Sequence, residues 1–184
     1  MFIRTRRLFL RPAWPEDATA LRDAIGHWDV VKNLGRAPWP YTMADAETFV
    51  AGRVLAPDEA SFLIWKRTDG EPELIGSIGF GRWMGPEVEI GYWSAADHWS
   101  CGYATEAGRA VLELAFEGLR HPKVGAAHFV DNPASGIVLR KLGFQATGRT
   151  KPYPCRARGC DIDSVEYELT RAEWQGCAPL AVAA

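Results

Sequence analysis

The sequence predicts a mixed α/β (α+β) fold in one domain over residues 1–176, with a flexible tail over 177–184. Three observations predict it. Strand-like apolar runs alternate along the chain with stretches of helical period. The turn-rich segment Thr68-Asp69-Gly70-Glu71-Pro72 joins two of those runs as a hairpin. The run Val88 to Trp93 leads through a short loop containing Gly102 into a helical stretch, Thr105 to Phe116, and a second strand–helix pair follows at 124–130 and 132–143. A length of 184 residues suits a single core, and 47% hydrophobic with 24% charged residues is ordinary for a soluble globular protein.

Leu8 to Pro12 reads as the first strand, and Pro15-Glu16-Asp17 opens a helix with Ala18, Leu21 and Ala24/Ile25 on one side. Trp28 to Arg36 is expected as a short second helix, broken by the segment Ala37 to Tyr41. Thr42 is the expected N-cap of a third, carrying Ala46, Phe49, Val50 and Val54 on one face. Ser61 to Arg67 and Leu74 to Trp83 are the hairpin strands, after which Trp83 to Pro86 turns the chain into the strand at 87–93. Alternation there places Glu87, Glu89 and Gly91 on one face, and Val88, Ile90 and Tyr92 on the other.

The helix at 105–116 has an apolar stripe of Ala107, Ala110, Val111 and Leu114. Arg109 is spaced to pair with Glu113 or to meet a phosphate. Asn132-Pro133 reads as an N-cap with proline at the first helical position, and Gly143 suits the left-handed residue that ends a helix. A final hairpin is expected from 145–148 and 164–169. Between them lies a loop, 150–163, rich in Pro, Arg and Cys.

Charge and cysteine usage exclude several classes. A net charge of -2 gives no global basic field, so neither nucleic acid nor an anionic membrane is an expected partner. No apolar run is long enough for a membrane span, and Met1-Phe2-Ile3-Arg4 does not read as a signal peptide. The four cysteines form no CxxC pair. Cys155 and Cys160 have the wrong spacing for a metal site and no nearby His, so no metal is expected and the cytoplasm is the expected compartment.

The chemistry sits between Trp99 and Phe144. A strand, a glycine loop and a helix make a cradle for phosphate: unpaired N–H groups of the first helical turn face the loop, and the helix dipole adds about half a positive charge. Three motifs follow one another: E-I-G-Y-W at Glu89 to Trp93, G-Y-A-T-E-A at Gly102 to Ala107, and N-x-x-S-x-x-V-L-x-K-L-G-F at Asn132 to Phe144. Together they resemble the acetyl-CoA-binding core of the GNAT superfamily of N-acetyltransferases, and most nearly its RimJ/RimL-like subgroup.

The resemblance implies a mostly antiparallel sheet flanked by helices, with one parallel strand pair that splays apart to admit acetyl-CoA. It implies transfer of an acetyl group to a primary amine by direct attack in a ternary complex. The implied coenzyme contacts are Tyr92, Trp93, Trp99, Ser100, Cys101, Gly102, Tyr103, Ala104, Thr105, Asn132, Ser135 and Leu139. Backbone N–H at Tyr92 or Trp93 is the implied oxyanion donor. Ser135 is the implied proton donor to the thiolate, because Leu139 stands where most members carry a tyrosine. Glu89 is the candidate base, with Glu87 and Asp131 behind it, although an α-amino group with a pKa of about 8 can also lose its proton to water. Trp99 replaces the usual Arg or Gln of the loop, which leaves the phosphate grip to backbone and dipole. Cys101 has no base beside it and is not expected to be a nucleophile.

The expected partners are acetyl-CoA and an amine acceptor, either a peptide N-terminus or a small molecule, for a monomer or homodimer. Specificity is expected from the 28–54 segment and the 150–163 loop. There Trp28, Trp39, Tyr41 and Tyr153 can line a slot, and Arg156 and Arg158 can attract an acidic acceptor. A coenzyme-binding protein without efficient catalysis is the alternative that Leu139 and Trp99 leave open.

Overall fold

Short runs of β-branched and aromatic residues between turn formers make strand the commonest element, and the strands join in one sheet. The computed structural model describes residues 1–52, 55–83 and 85–177. The strands are β1 (Ile3–Arg4), β2 (Leu8–Arg11), β3 (Ala60–Lys66), β4 (Glu73–Gly81), β5 (Glu89–Ser94), β6 (Lys123–Phe129), β7 (Gln145–Cys155) and β8 (Cys160–Thr170). The helices are α1 (Ala18–Ile25), α2 (Trp28–Val31), α3 (Met43–Ala51), α4 (Tyr103–Glu113), α5 (Pro133–Lys141) and α6 (Arg171–Cys177). The sheet order is β1-β2-β3-β4-β5-β6-β8-β7. Neighbours pair antiparallel except β5 and β6, which meet in parallel at Glu89 and Gly125.

Apolar residues cover both faces of this sheet. On one, α4 and α5 pack Val111, Leu112 and Leu139 against Ile64, Ile78 and Phe80 of the strands, all at most 1% exposed. On the other, α1 and α3 pack Leu21, Ala46 and Val50 against Leu63 and Leu74. A third cluster, Ile25, Val30 and Val31, seats α2 beside Trp93 and Ala157. Arg11 and Asp17 are buried as a bidentate pair at 2.7 Å, which ties β2 to the turn before α1.

Several elements depart from expectation. α2 is a single turn that ends at Val31 rather than Arg36, and the chain leaves it through the tight turn Leu34 N to Val31 O. α4 starts at Tyr103, two residues early, and widens into a π-helical turn over Leu114–Gly118. Arg109 and Glu113 form no ion pair among the described residues. The expected loop at 150–163 is mostly strand: β7 and β8 pair as far as Cys155 and Cys160, leaving a turn at 156–159. Pro152 and Pro154 fit because β7 is the sheet edge, where a missing N–H breaks no ladder on the solvent side. Thr42 does cap α3, its hydroxyl accepting from Asp45 N at 3.3 Å. Val54 and Met84 lie outside the described residues. The expected tail begins at Cys177, the last residue of α6, and its remainder also lies outside them.

Candidate active site

The sequence W-S-C-G-Y-A folds as a left-handed loop feeding α4. Gly102 is the N-cap at φ 78°, a conformation glycine takes without a Cβ penalty. Ser100 is also left-handed, at φ 60°, which costs a non-glycine residue on the order of 1 kcal/mol. Among the described residues, none of the N–H groups from Gly102 to Thr105 has a protein acceptor. These donors lie at the positive end of an eleven-residue helix, where negative charge is favoured. Trp99 does not occupy that space, because its indole N–H donates to Ser94 O at 2.8 Å, back along β5.

The gap beside this loop comes from the end of the parallel pairing. Gly125 N donates to Val88 O at 2.8 Å, and no further β5–β6 pair follows Glu89 and Gly125 among the described residues. Strand alternation turns the N–H and C=O of Tyr92 into the gap and those of Trp93 toward Ser77 on β4. Of the two expected oxyanion donors, Tyr92 N–H therefore faces the opening. Trp93 N–H is committed to the sheet, and its side chain packs beside α2.

Two hydroxyls meet across the gap. Tyr92 Oη lies 2.8 Å from Ser135 Oγ and 3.0 Å from Ser135 O, in the first turn of α5. Burial pushes the Tyr92 phenol up to about 12 against a smaller opposing effect of the Ser135 hydrogen bond, so the phenol stays protonated and able to donate. Sequence reading assigned Tyr92 a backbone role only. The signal for its hydroxyl was its place on the same strand face as Ile90, toward α5. Asn132 caps α5 by position but makes no side-chain cap hydrogen bond.

The opposite face of β5 carries a different set. Glu89 Oε1 accepts from Tyr153 Oη at 2.9 Å, and burial raises the pKa of that phenol. The Trp83 ring lies over Gly91, so close that a Cβ on Gly91 would come within 2.6 Å of it. Glu89 lines a cavity of about 310 Å³ with Gly125, Lys151 and Glu166. In that wall Glu166 is paired with Arg149 and Lys151, while Glu87 lies 3.6 Å from Lys123. Asp131 is held below the usual carboxylate range by hydrogen bonds from Arg158. That pairing also removes Arg158 as a free anchor for an acidic acceptor: it donates further to Lys32 O at 2.7 Å and fastens the β7–β8 turn to α2. Trp28 and Trp39 pack edge to face at 5.5 Å and remain 41% and 44% exposed.

Residues 7–145 match the family model described as an acetyltransferase (GNAT) domain. The chain belongs to the GNAT acetyltransferase family. The uncharacterized N-acetyltransferase YoaA of Bacillus subtilis is 30% identical over 173 residues, spanning 92% of this chain and 96% of its own. A solved GNAT-family acetyltransferase from Bacillus anthracis superposes with a TM-score of 0.78 at 26% identity, over 94% of this chain and 99% of its own. The microcin C7 self-immunity acetyltransferase MccE, solved with acetyl-CoA and AMP, has the same fold. Its TM-score is 0.74 at 18% identity, with 90% and 93% coverage.

The GNAT motifs land on both sides of one gap. Gly102 and its neighbours form the left-handed loop before α4, Tyr92 and Ser135 face each other, and Glu89 sits on the far face where β5 and β6 part. Leu139 does not join them: it is 1% exposed and inside the core, so it presents a wall and no donor. Cys101 is exposed, and its carbonyl is taken by Arg7 at 3.0 Å. No helix among the described residues is long and apolar enough to cross a membrane.

Proposed function

We propose that the protein transfers the acetyl group of acetyl-CoA to a primary amine, with a peptide N-terminus or a small amine as acceptor and no metal. The observation that carries this reading is the parting of β5 and β6 beyond Glu89 and Gly125, directly beside a loop whose N–H groups from Gly102 to Thr105 are unpaired among the described residues. The loop binds the coenzyme's pyrophosphate, and its pantetheine arm takes the vacant ladder position at Tyr92. Tyr92 N–H then polarises the thioester carbonyl and stabilises the oxyanion formed when the amine attacks. Glu89, oriented by Tyr153, takes the ammonium proton directly or through water. The Tyr92–Ser135 hydroxyl pair returns a proton to the departing thiolate.

The RimJ/RimL-like motif with serine at 135 supports a peptide N-terminus as the acceptor. The exposed Trp28–Trp39 pair supplies an apolar surface that this reading assigns to the acceptor side. The test is coenzyme thiol release with acetyl-CoA against peptides with free or blocked N-termini, amino-acid amides, aminoglycosides and spermidine. Release that depends on a free primary amine is expected. Release equal to the acceptor-free rate with every amine would reject transfer and leave a coenzyme-binding protein.

A further inference from the structure

The anion loop lacks the Arg or Gln its family motif carries, and the fold supplies a cation there from 94 residues away in sequence. Arg7, just before β2, donates through Nε to Glu106 Oε2 at 2.7 Å and through Nη1 to Cys101 O at 3.0 Å. Its guanidinium lies 4.4 Å over the Tyr103 ring. Its Nη2 is 3.5 Å from where a Cβ on Gly102 would stand, directly against the left-handed turn of the loop, and has no protein partner among the described residues. The side chain is 38% exposed, so its remaining N–H groups are open to a ligand.

Glu106 fixes this arrangement. Burial works against its charge, but hydrogen bonds from Thr5 Oγ1 and from Arg7 N and Nε hold it below the usual carboxylate range. Arg7 also lines a cavity of about 350 Å³ with Arg6, Lys66, Arg67, Asp69 and Tyr103. Four cations stand there against Asp69 in the wall and against Glu73 and Glu106 behind Lys66 and Arg7. The Arg67 side chain donates through Nη1 to the Arg6 carbonyl at 3.0 Å.

The geometry assigns Arg7 as the side chain that supplies the loop's missing charge, holding a phosphate group of the coenzyme together with the basic wall of Arg6 and Arg67. This inference rests on the acetyl-CoA reading above. A planar guanidinium pinned on two edges keeps a fixed, charged fork of donors toward a phosphate, where Gln would offer only the two N–H bonds of one uncharged nitrogen and Trp a single N–H. The phosphate is either part of the pyrophosphate over the loop or the phosphomonoester on the ribose, and both are the same chemistry for an arginine.

The test is calorimetric binding of coenzyme A, dephospho-coenzyme A and pantetheine to the wild type, Arg7→Gln and Arg7→Lys, with turnover of S-acetylpantetheine measured alongside. Arg7→Gln should weaken coenzyme A on the order of 10- to 100-fold, with Arg7→Lys between it and the wild type. S-acetylpantetheine, which carries no phosphate, should turn over equally in all three proteins. An equal loss for coenzyme A and its dephospho form assigns Arg7 to the pyrophosphate; a loss for coenzyme A alone assigns it to the phosphomonoester. Wild-type affinity in Arg7→Gln overturns the inference, and so does a matching loss of S-acetylpantetheine turnover, which marks a purely structural role. If Arg7→Gln does not fold, Arg7→Lys at wild-type affinity for both coenzymes overturns it equally. Should the wild type bind no coenzyme at all, the acetyl-CoA reading itself falls, and this inference with it.

Discussion

At the scale of single residues, the Tyr92–Ser135 pair divides one task between two hydroxyls. Each is within hydrogen-bond reach of the other, so either can pass a proton on while the other reprotonates it. Ser135→Ala and Tyr92→Phe should each lower turnover on the order of 100-fold, the usual worth of a positioned general acid. Coenzyme affinity should stay within a few-fold of wild type. Because the two act as a unit, the double variant should be little worse than either single one. Single-turnover acetyl transfer under saturating coenzyme reads this directly; additive losses would mean two separate roles. The same tyrosine gives a pH signature. Its folded pKa of about 12 lies above the ordinary 10.0 because burial disfavours the phenolate. In the unfolded chain the phenol loses its proton first as pH rises, so the stability it contributes is complete below pH 10 and declines between about 10 and 12. Melting temperatures at pH 9 and pH 11 should therefore fall further for wild type than for Tyr92→Phe. Tyr41, also raised to about 12 by burial, keeps part of the decline in both.

At the scale of elements, the anion loop argues for glycine through conformation as much as through space. Gly102 sits at φ 78°, and a side chain there meets Arg7 Nη2 at 3.5 Å. Gly102→Glu places a carboxylate among donors meant for an anion and competes for Arg7. It should abolish the rise in melting temperature that coenzyme produces in the wild type, and an undiminished rise would remove the loop from the site. This loop and its helix were legible because strand, glycine and helical period follow in order. Less legible was where the helix began, since Tyr103 and Ala104 fit a loop or a first turn equally well. The β7–β8 hairpin was misread for a physical reason: Pro152 and Pro154 signal a break, yet an edge strand tolerates them. α6 carried a readable cap that sequence reading passed over, Thr170 and Glu173 exchanging hydrogen bonds at 3.3 and 2.8 Å. Contacts such as Arg7 with Cys101 or Arg158 with Asp131 join distant segments and leave no local pattern. Local periodicity announces which face a residue takes and says nothing of which distant side chain meets it there.

At the scale of the whole molecule, the sheet is two halves, β1 to β5 and β6 to β8, held along their seam at Glu89 and Gly125 and across it by α4 and α5. The site exists because that seam is short. A longer parallel ladder would pair Tyr92 N–H with β6 and close the position offered to the coenzyme; no ladder at all would leave the gap width to helix packing alone. Gly125 N–H to Val88 O, at 2.8 Å, is the bond that fixes where the seam stops. A methyl group at this position is tolerated, since a Cβ there would stand 3.4 Å from Glu89 Cγ and 3.6 Å from Val88 O, ordinary contact distances. Proline is different: it removes the donor and strands the Val88 carbonyl, a loss on the order of 1–3 kcal/mol for a buried group. Gly125→Ala should therefore keep the wild-type melting temperature and coenzyme affinity. Gly125→Pro should lower both, with faster hydrogen exchange at Ile90 as β5 loses its neighbour. If the proline variant keeps its coenzyme affinity while its melting temperature falls, the seam only stabilises the sheet, and the gap is set by α4 and α5.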